Sequence, residues 1–460
     1  MTASNHVVHI PSEAKCWSIL ANWSRLDDLC DGVFDCPHTT PKLTSVGPFV
    51  VRSQDVRTGI FRLDQAGRVS EETYLERIDR AEPRPGDILF SREGTYFGNA
   101  AEVPLGIRVC LGQRMVLIRP KRSELDSRFL RFWLNSGLMA RHIAGFKDGS
   151  VAERLNMPTI RALPVPRLTL DRQRTIAAIL GALDDKIELN RRMNETLEAM
   201  ARAIFKDWFV DFGPTRTKMA LRGEDPQKEN VARAPYLAPD IWSLFPDRLD
   251  DDGKPEGWTT STIGQEVEVV GGSTPSTKEA AFWSGDIAWA TPKDLSSLST
   301  PVLLSTERKI TEAGLSQIGS GLLPAGTVLL SSRAPIGYMA ISQIPVAVNQ
   351  GFIALICNKR LSNVFVWLWT QANMETVHQN ANGSTFQEIS KANFRPIELT
   401  VPAPQLLRAF DQAARPLFDR IVANDKENRT LAATRDLLLP KLMSGEIRVR
   451  DAETLVEAVA

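Results

Sequence analysis

At 460 residues the chain is too long for one ordinary core, and roughly 100 to 200 residues per domain leads us to expect two to four domains. Its 43% hydrophobic and 24% charged residues are those of a globular protein, and no apolar run approaches the ~20 residues of a membrane span. Lys and Arg number 55 against 55 Asp and Glu, which excludes a chain that is polycationic throughout while leaving local charge open. The start, MTASNHVVHIPSEAK, has no basic stretch leading into an apolar one, so the cytoplasm is the expected compartment.

The first segment, 1–168, carries short β-rich runs broken by Gly and Pro. Cys16, Cys30, Cys36 and His38 fall close together, but their gaps match no familiar zinc spacing. Five cysteines are an odd number, so reduced thiols are expected, with no disulfide framework and no bound metal. Between Arg80 and Leu170 there are 15 Lys and Arg against 8 Asp and Glu.

Segment 169–213 reads as one long helix from about Asp171, an N-cap, to a stop at Gly213-Pro214. Ile176, Leu180, Leu183, Ile187, Asn190, Asn194, Leu197, Ala201, Ile204 and Trp208 step by four and three, the seam of a coiled coil. At 1.5 Å per residue such a rod is roughly 60 Å long. Two asparagines interrupt its apolar seam. Segment 214–257 turns polar and irregular, partly ordered by IWSLF. Within it PDRLDDDGK, from Pro246, has the letters of a metal-dependent nuclease, but those carboxylates normally come from separate strands, so a solvated turn is expected.

Segment 258–402 repeats the first. AGTVLLSSRAPIG, from Ala325, answers PGDILFSREG, from Pro85, with Gly326 on Gly86 and Ser331 on Ser91. VNQGFIALI, FVWLW, NANGS and LTVPAPQ then follow as LGQRMVLI, FLRFWL, KDGS and LPVPRL do in the first copy. Upstream, STPSTK matches HTTPK and AWATPKDL matches VVRSQDV, all at offsets of 233 to 240. The basic surplus does not recur: Thr259 to Thr400 holds 9 Lys and Arg against 10 Asp and Glu. Segment 403–448 repeats the helix, with Phe410, Ala414, Leu417, Ile421, Asn424, Asn428, Leu431, Arg435, Leu438 and Leu442 in register, and 449–460 is a tail. Pro416 and Pro440 predict a kink or a late start near Pro416 and an interruption at the far end.

No GxxxxGK[ST], HExxH or GxSxG occurs, and NMPT at Asn156 is not the Asn-Pro-Pro-aromatic signature of amino-methyltransferases, so no catalytic residue is assigned. Residues that recur or lie beside the recurring motifs are candidate nucleic-acid contacts: Arg92, Gln113, Arg114, Lys147 and Ser150 in the first copy, and Lys293, Ser332, Arg333, Gln350 and Ser384 in the second. Arginine's fork suits guanine edges and phosphate, and glutamine suits adenine. The competing reading is structural arginines and turns that each copy requires.

A variable β-rich segment, then LPVPRLTLDRQRTIAAILGALDDKIELNRRMNETLEAMARAIFKDWFVDF, a second variable segment introduced by PEGW, and a closing LLLPKLMSGEIRV together resemble the specificity subunit of type I restriction-modification systems. The resemblance implies an α+β architecture: two α/β-type target-recognition domains of mixed, β-rich topology, separated by two long antiparallel helices and related by a pseudo-twofold repeat. It implies double-stranded DNA as ligand, each domain reading one half of a split, asymmetric site. Two modification (methyltransferase) subunits and the restriction (translocase) subunits are the implied partners, with S-adenosylmethionine, ATP and Mg held by them and no cofactor by this chain. A coiled-coil scaffold with two protein-binding β domains is the alternative, and a fused enzyme with an unrecognised site is a third reading. If the helices run antiparallel, Asn190 faces Asn428 and Asn194 faces Asn424, a polar layer that sets register; splayed helices with hydrated amides are the competing picture.

Overall fold

The structure, a computed structural model, describes residues 23–94, 96–145, 154–224, 236–383 and 387–457. The chain folds as two compact units, one of Met1–Ile187 with Arg429–Ala460 and one of Glu188–Asn428. The divisions fall inside both long helices, so each unit holds one β-bearing segment and one half of each helix.

In the first unit a four-stranded antiparallel sheet has the order Cys30–Asp35, Met115–Pro120, Ile88–Ser91, Ala100–Glu102. Ile88, Phe90, Val116 and Ile118 face a core shared with Phe129, Trp133, Ile176, Leu180, Leu183, Leu431 and Leu438. Leu89, Met115 and Leu117 face the other way, onto Val51, Val56 and Leu111. Burial on both faces explains why ILF and MVLI run without polar alternation. Thr44–Val51 lies between Gly67–Arg68 and Val109–Leu111 in a second, three-stranded sheet. Buried Gln173 joins the domain to its helix, accepting from Asp126 N (2.9 Å) and donating to the carbonyls of Glu124 and Leu168 (both 2.9 Å). Asp184 takes both Arg131 and Arg435 at 2.7 Å, tying the domain and the second long helix to the first.

In the second unit a five-stranded sheet has the order Glu268–Gly271, Phe352–Ile356, Val328–Ser332, Ile336–Ser342, Val302–Leu303, the last pair parallel. Arg308–Ile310, Trp283–Ala290 and Ala347–Val348 form its companion sheet. The aromatics of AIFKDWF are core: Phe209 lies 5.0 Å from Phe410 and 5.1 Å from Phe365, ring centre to ring centre, with edges meeting faces.

The long helices are Leu170–Phe209, 40 residues, and Pro404–Ser444, 41 residues. Two expectations are corrected. The second helix starts at Pro404, where a missing N–H needs no partner, and runs on through Pro416 and Pro440, so neither the late start nor the interruption occurs. A proline inside a helix costs about 3 kcal/mol, and Ala414, Phe418 and Ile421, all buried around Pro416, hold the turn in place. The first helix does stop at Phe209, shortly before Gly213-Pro214, but those two residues open another helix, Gly213–Leu221, in the segment read as irregular.

In the second unit Asn190 Nδ2 donates to Asn428 Oδ1 (3.0 Å) and Glu427 Oε2 (2.7 Å), and Asn424 Nδ2 donates to Asn194 Oδ1 (2.7 Å). Asn190 and Asn424 are fully buried, which excludes splayed helices with hydrated amides. Among the described residues Asn190 Oδ1, Asn194 Nδ2 and Asn424 Oδ1 have no partner, so the layer is only partly satisfied. Replacing all four asparagines by leucine is therefore expected to raise the melting temperature, whereas Asn194→Leu alone strands Asn424 Nδ2 and should cost about 1–3 kcal/mol in chemical denaturation. A destabilised quadruple variant would contradict this.

Candidate nucleic-acid interface

The central strand of each main sheet ends at a matching place. Ser91 pairs with Met115 and Ser331 with Phe352, which sets Arg92 beside Arg114 and Ser332 beside Gly351. The backbone bonds Arg92 N to Arg114 O (3.0 Å) and Ser332 N to Gly351 O (2.8 Å) close the two ends in the same way. Arg114 is held at φ 69°, a left-handed conformation that costs a non-glycine residue about 1–3 kcal/mol. That backbone persists because Arg92 N and Met115 pin it from both sides.

Around each strand end the two copies build the same polar contact. Thr40 Oγ1 donates to Gln113 Oε1 at 3.1 Å, and Thr274 Oγ1 donates to Gln350 Oε1. Both threonines are exposed and both precede a proline. A carboxylate-capped turn lies alongside: Asp55 Oδ2 accepts from Arg52 N (2.9 Å), and Asp294 Oδ2 from Thr291 N (2.8 Å). Arg114, 54% exposed on Glu93, and Arg333, 39% exposed on Glu388, stand at the open side of the two ends. Arg57 stacks over Tyr96, 3.6 Å from the ring centre, near the first. Exposed amides, hydroxyls and guanidinia on a rigid sheet edge can donate to and accept from base edges and phosphate oxygens.

The model of the type I restriction modification DNA specificity domain matches residues 43–199 and again 255–408, one match per copy. The chain belongs to that family. It is a DNA specificity subunit of a type I restriction-modification complex. The type I restriction enzyme HindI specificity subunit of Haemophilus influenzae is similar to it, 25% identical over 404 residues, 79% of this chain and 87% of the relative. The MjaIX specificity subunit of Methanocaldococcus jannaschii is 35% identical over 184 residues, 39% of this chain and 42% of its own length. A solved S subunit of a type I system from M. genitalium aligns over 96% of this chain and 98% of its own, with 16% identity and a TM-score of 0.49. The scaffold alternative gains nothing from these relatives.

Within the specificity subunit the residues singled out from sequence part into three groups. Gln113, Arg114, Arg333 and Gln350 come together at the two strand ends, and Lys293 stands on the neighbouring capped turn, 76% exposed and 2.8 Å from Glu307. Arg92 and Ser332 are held within the fold rather than at the open side. The Arg92 guanidinium is 15% exposed and bound to Asp35 at 3.0 Å, so reaching a base would break that pair. Ser332 is 3% exposed, buried among the strands. Lys147, Ser150 and Ser384 lie outside the described residues, as does Cys16; Gly383, beside Ser384, has φ 95°. Sequence reading missed Thr40, Thr274, Asp55 and Asp294, although HTTPK/STPSTK and VVRSQDV/AWATPKDL contain them.

Asp35, Cys36 and His38 bring one ligand-type atom each within 4.8 Å of one another. Their chemistry does not fit a metal: Asp35 is bound to Arg92, and burial pushes the Cys36 thiol up, away from the thiolate that a metal takes. Burial likewise pushes Cys30 up to about 12 and Cys110 up to about 11. A raised thiol pKa leaves little thiolate at pH 8, so these three cysteines should alkylate at least ~tenfold more slowly in the native chain than in denaturant. A chelator should leave the melting temperature unchanged. A chelator-dependent fall would restore a metal at this cluster.

Proposed function

We propose that the two strand ends are the base-reading heads of this specificity subunit, each addressed to one half of a bipartite, asymmetric DNA target. The observation that carries the reading is the repeated Thr–Gln contact at the same sheet edge in both copies, set among residues that differ between them. A repeated frame with unlike side chains suits two half-sites of unlike sequence. The long helices are the spacer between those halves, and the Asn190, Asn194, Asn424 and Asn428 layer sets their register.

On this reading the subunit itself is non-catalytic. It docks two modification subunits, which hold S-adenosylmethionine, and through them the restriction subunits, which use ATP and Mg; the complex works in the cytoplasm. The second copy's near-neutral charge supports a division of labour in which partner subunits supply much of the phosphate contact and this chain supplies readout.

Comparing the methylated motifs of the host genome with and without this gene tests the function directly, and loss of a single two-part motif is the expected result. Inserting four residues into one long helix should change the number of unread base pairs between the halves; an unchanged spacing would sink the spacer role. In gel-shift titration the isolated subunit should bind the target at least ~100-fold more weakly than the complex with modification subunits. Equal affinity would refute the division of labour.

A further inference from the structure

The turns that carry Thr40 and Thr274 are held from beneath, and the two copies do this with unrelated chemistry. In the first copy Arg77, the last residue of the helix Glu71–Arg77, is 6% exposed. Its Nε donates to Leu111 O (2.8 Å), its Nη1 to Thr39 Oγ1 (3.2 Å), and its Nη2 to the carbonyls of Thr39 (3.0 Å) and Pro37 (3.4 Å). Leu111 ends the strand leading into Gln113, whose Nε2 in turn donates to His38 O. Among the described residues no carboxylate lies within ion-pair distance of Arg77. A buried guanidinium spent wholly on neutral acceptors is costly, so stability alone is a poor reason for its presence.

In the second copy the donors are indoles. Trp289, 2% exposed, donates from Nε1 to Ser273 O (3.3 Å), and Trp283 from Nε1 to Ser276 O (3.0 Å). The two rings meet edge to face with centres 5.0 Å apart, and Arg308 lies over Trp283 at 3.6 Å. Thr39 and Ser273 each immediately precede the threonine that bonds the glutamine, so the same carbonyl is taken by a buried donor in both copies. The donors differ in type and arrive from different elements, a helix in one copy and the strand Trp283–Ala290 in the other. Descent from one ancestral repeat explains a shared donor on a shared element. It does not explain two unlike donors converging on one carbonyl, which points to a requirement on the turn itself.

We propose that Arg77 and Trp289 are positioning residues for base readout, each fixing the turn that orients Gln113 or Gln350 against the base edges of its own half-site. The inference rests on the function proposed above. Each guanidinium or indole acts only through the turn above it, so its removal must be felt in one half of the target and not the other.

The test uses the complex assembled with its modification subunits, methylating a duplex library randomised in both half-sites. Arg77→Lys keeps the charge and loses the fork; it is expected to lower discrimination at one half-site by ~tenfold, the scale of one misplaced base contact. Trp289→Phe keeps a ring and loses the N–H, and should relax the opposite half-site by a similar factor. Thr40→Val, at an exposed position, should reproduce the Arg77→Lys pattern without disturbing the core, and it carries the test if Arg77→Lys fails to fold. Wild-type discrimination in both halves for Trp289→Phe or Thr40→Val, or relaxation of both halves together, overturns the inference. A wild-type complex with no two-part preference would instead overturn the function on which it rests.

Discussion

The antiparallel register of the two long helices decides what each unit can contain. In the second unit Asn190 meets Asn428 and Asn194 meets Asn424; in the first, Asp184 meets Arg435 and Arg172 reaches the carbonyl of Leu442. Each half-seam is closed by a half from far away in the chain, and each half-seam then becomes one wall of a domain core. Ile176, Leu180 and Leu183 pack with Ile88 and Phe129, whereas Phe205 and Trp208 pack with Phe365 and Phe410. A slip of one residue along either helix would rotate apolar positions out of both cores. Polar contacts with few acceptable geometries resist such a slip more strongly than a uniform leucine seam does.

Much of this was legible in the chain. The four-and-three spacing located both helices to within a few residues, and the ordered repeats located two domains of one design. Gln113 and Gln350 were visible because they sit in repeated strings, and the structure sets both on a threonine. The late start expected from Pro416 did not occur, because the local rule about missing N–H groups was overridden by the burial of Ala414 and Phe418 on either side. The partner of Arg92 was not legible for a related reason: a side chain's availability depends on what it pairs with, and Asp35 lies 57 positions away with nothing in the sequence to join them. Arg77 and Trp289 were invisible from repetition because they are not repeats. Only in the folded chain do both reach the same carbonyl.

The two copies therefore share a frame and diverge in how it is braced. The sheet order, the strand-end closure, the capped turn and the Thr–Gln contact recur, while charge and the supports beneath the turns do not. A frame that tolerates a guanidinium in one copy and a pair of indoles in the other lets side chains around it change without refolding the sheet. Arg114 in its left-handed backbone shows one local cost of such variation, borne by the surrounding bonds.

The division of the chain also orders events during synthesis. Glu188–Asn428 is one continuous stretch, whereas the first unit includes Arg429 onward, where Leu438, Leu442, Ala452 and Val456 are buried in its core. The second unit has all its parts once residue 428 has left the ribosome. The first has been waiting since residue 187 and closes only on the helix Val449–Glu457. The part made first is thus completed last, its core closed only by residues at the far end of the chain.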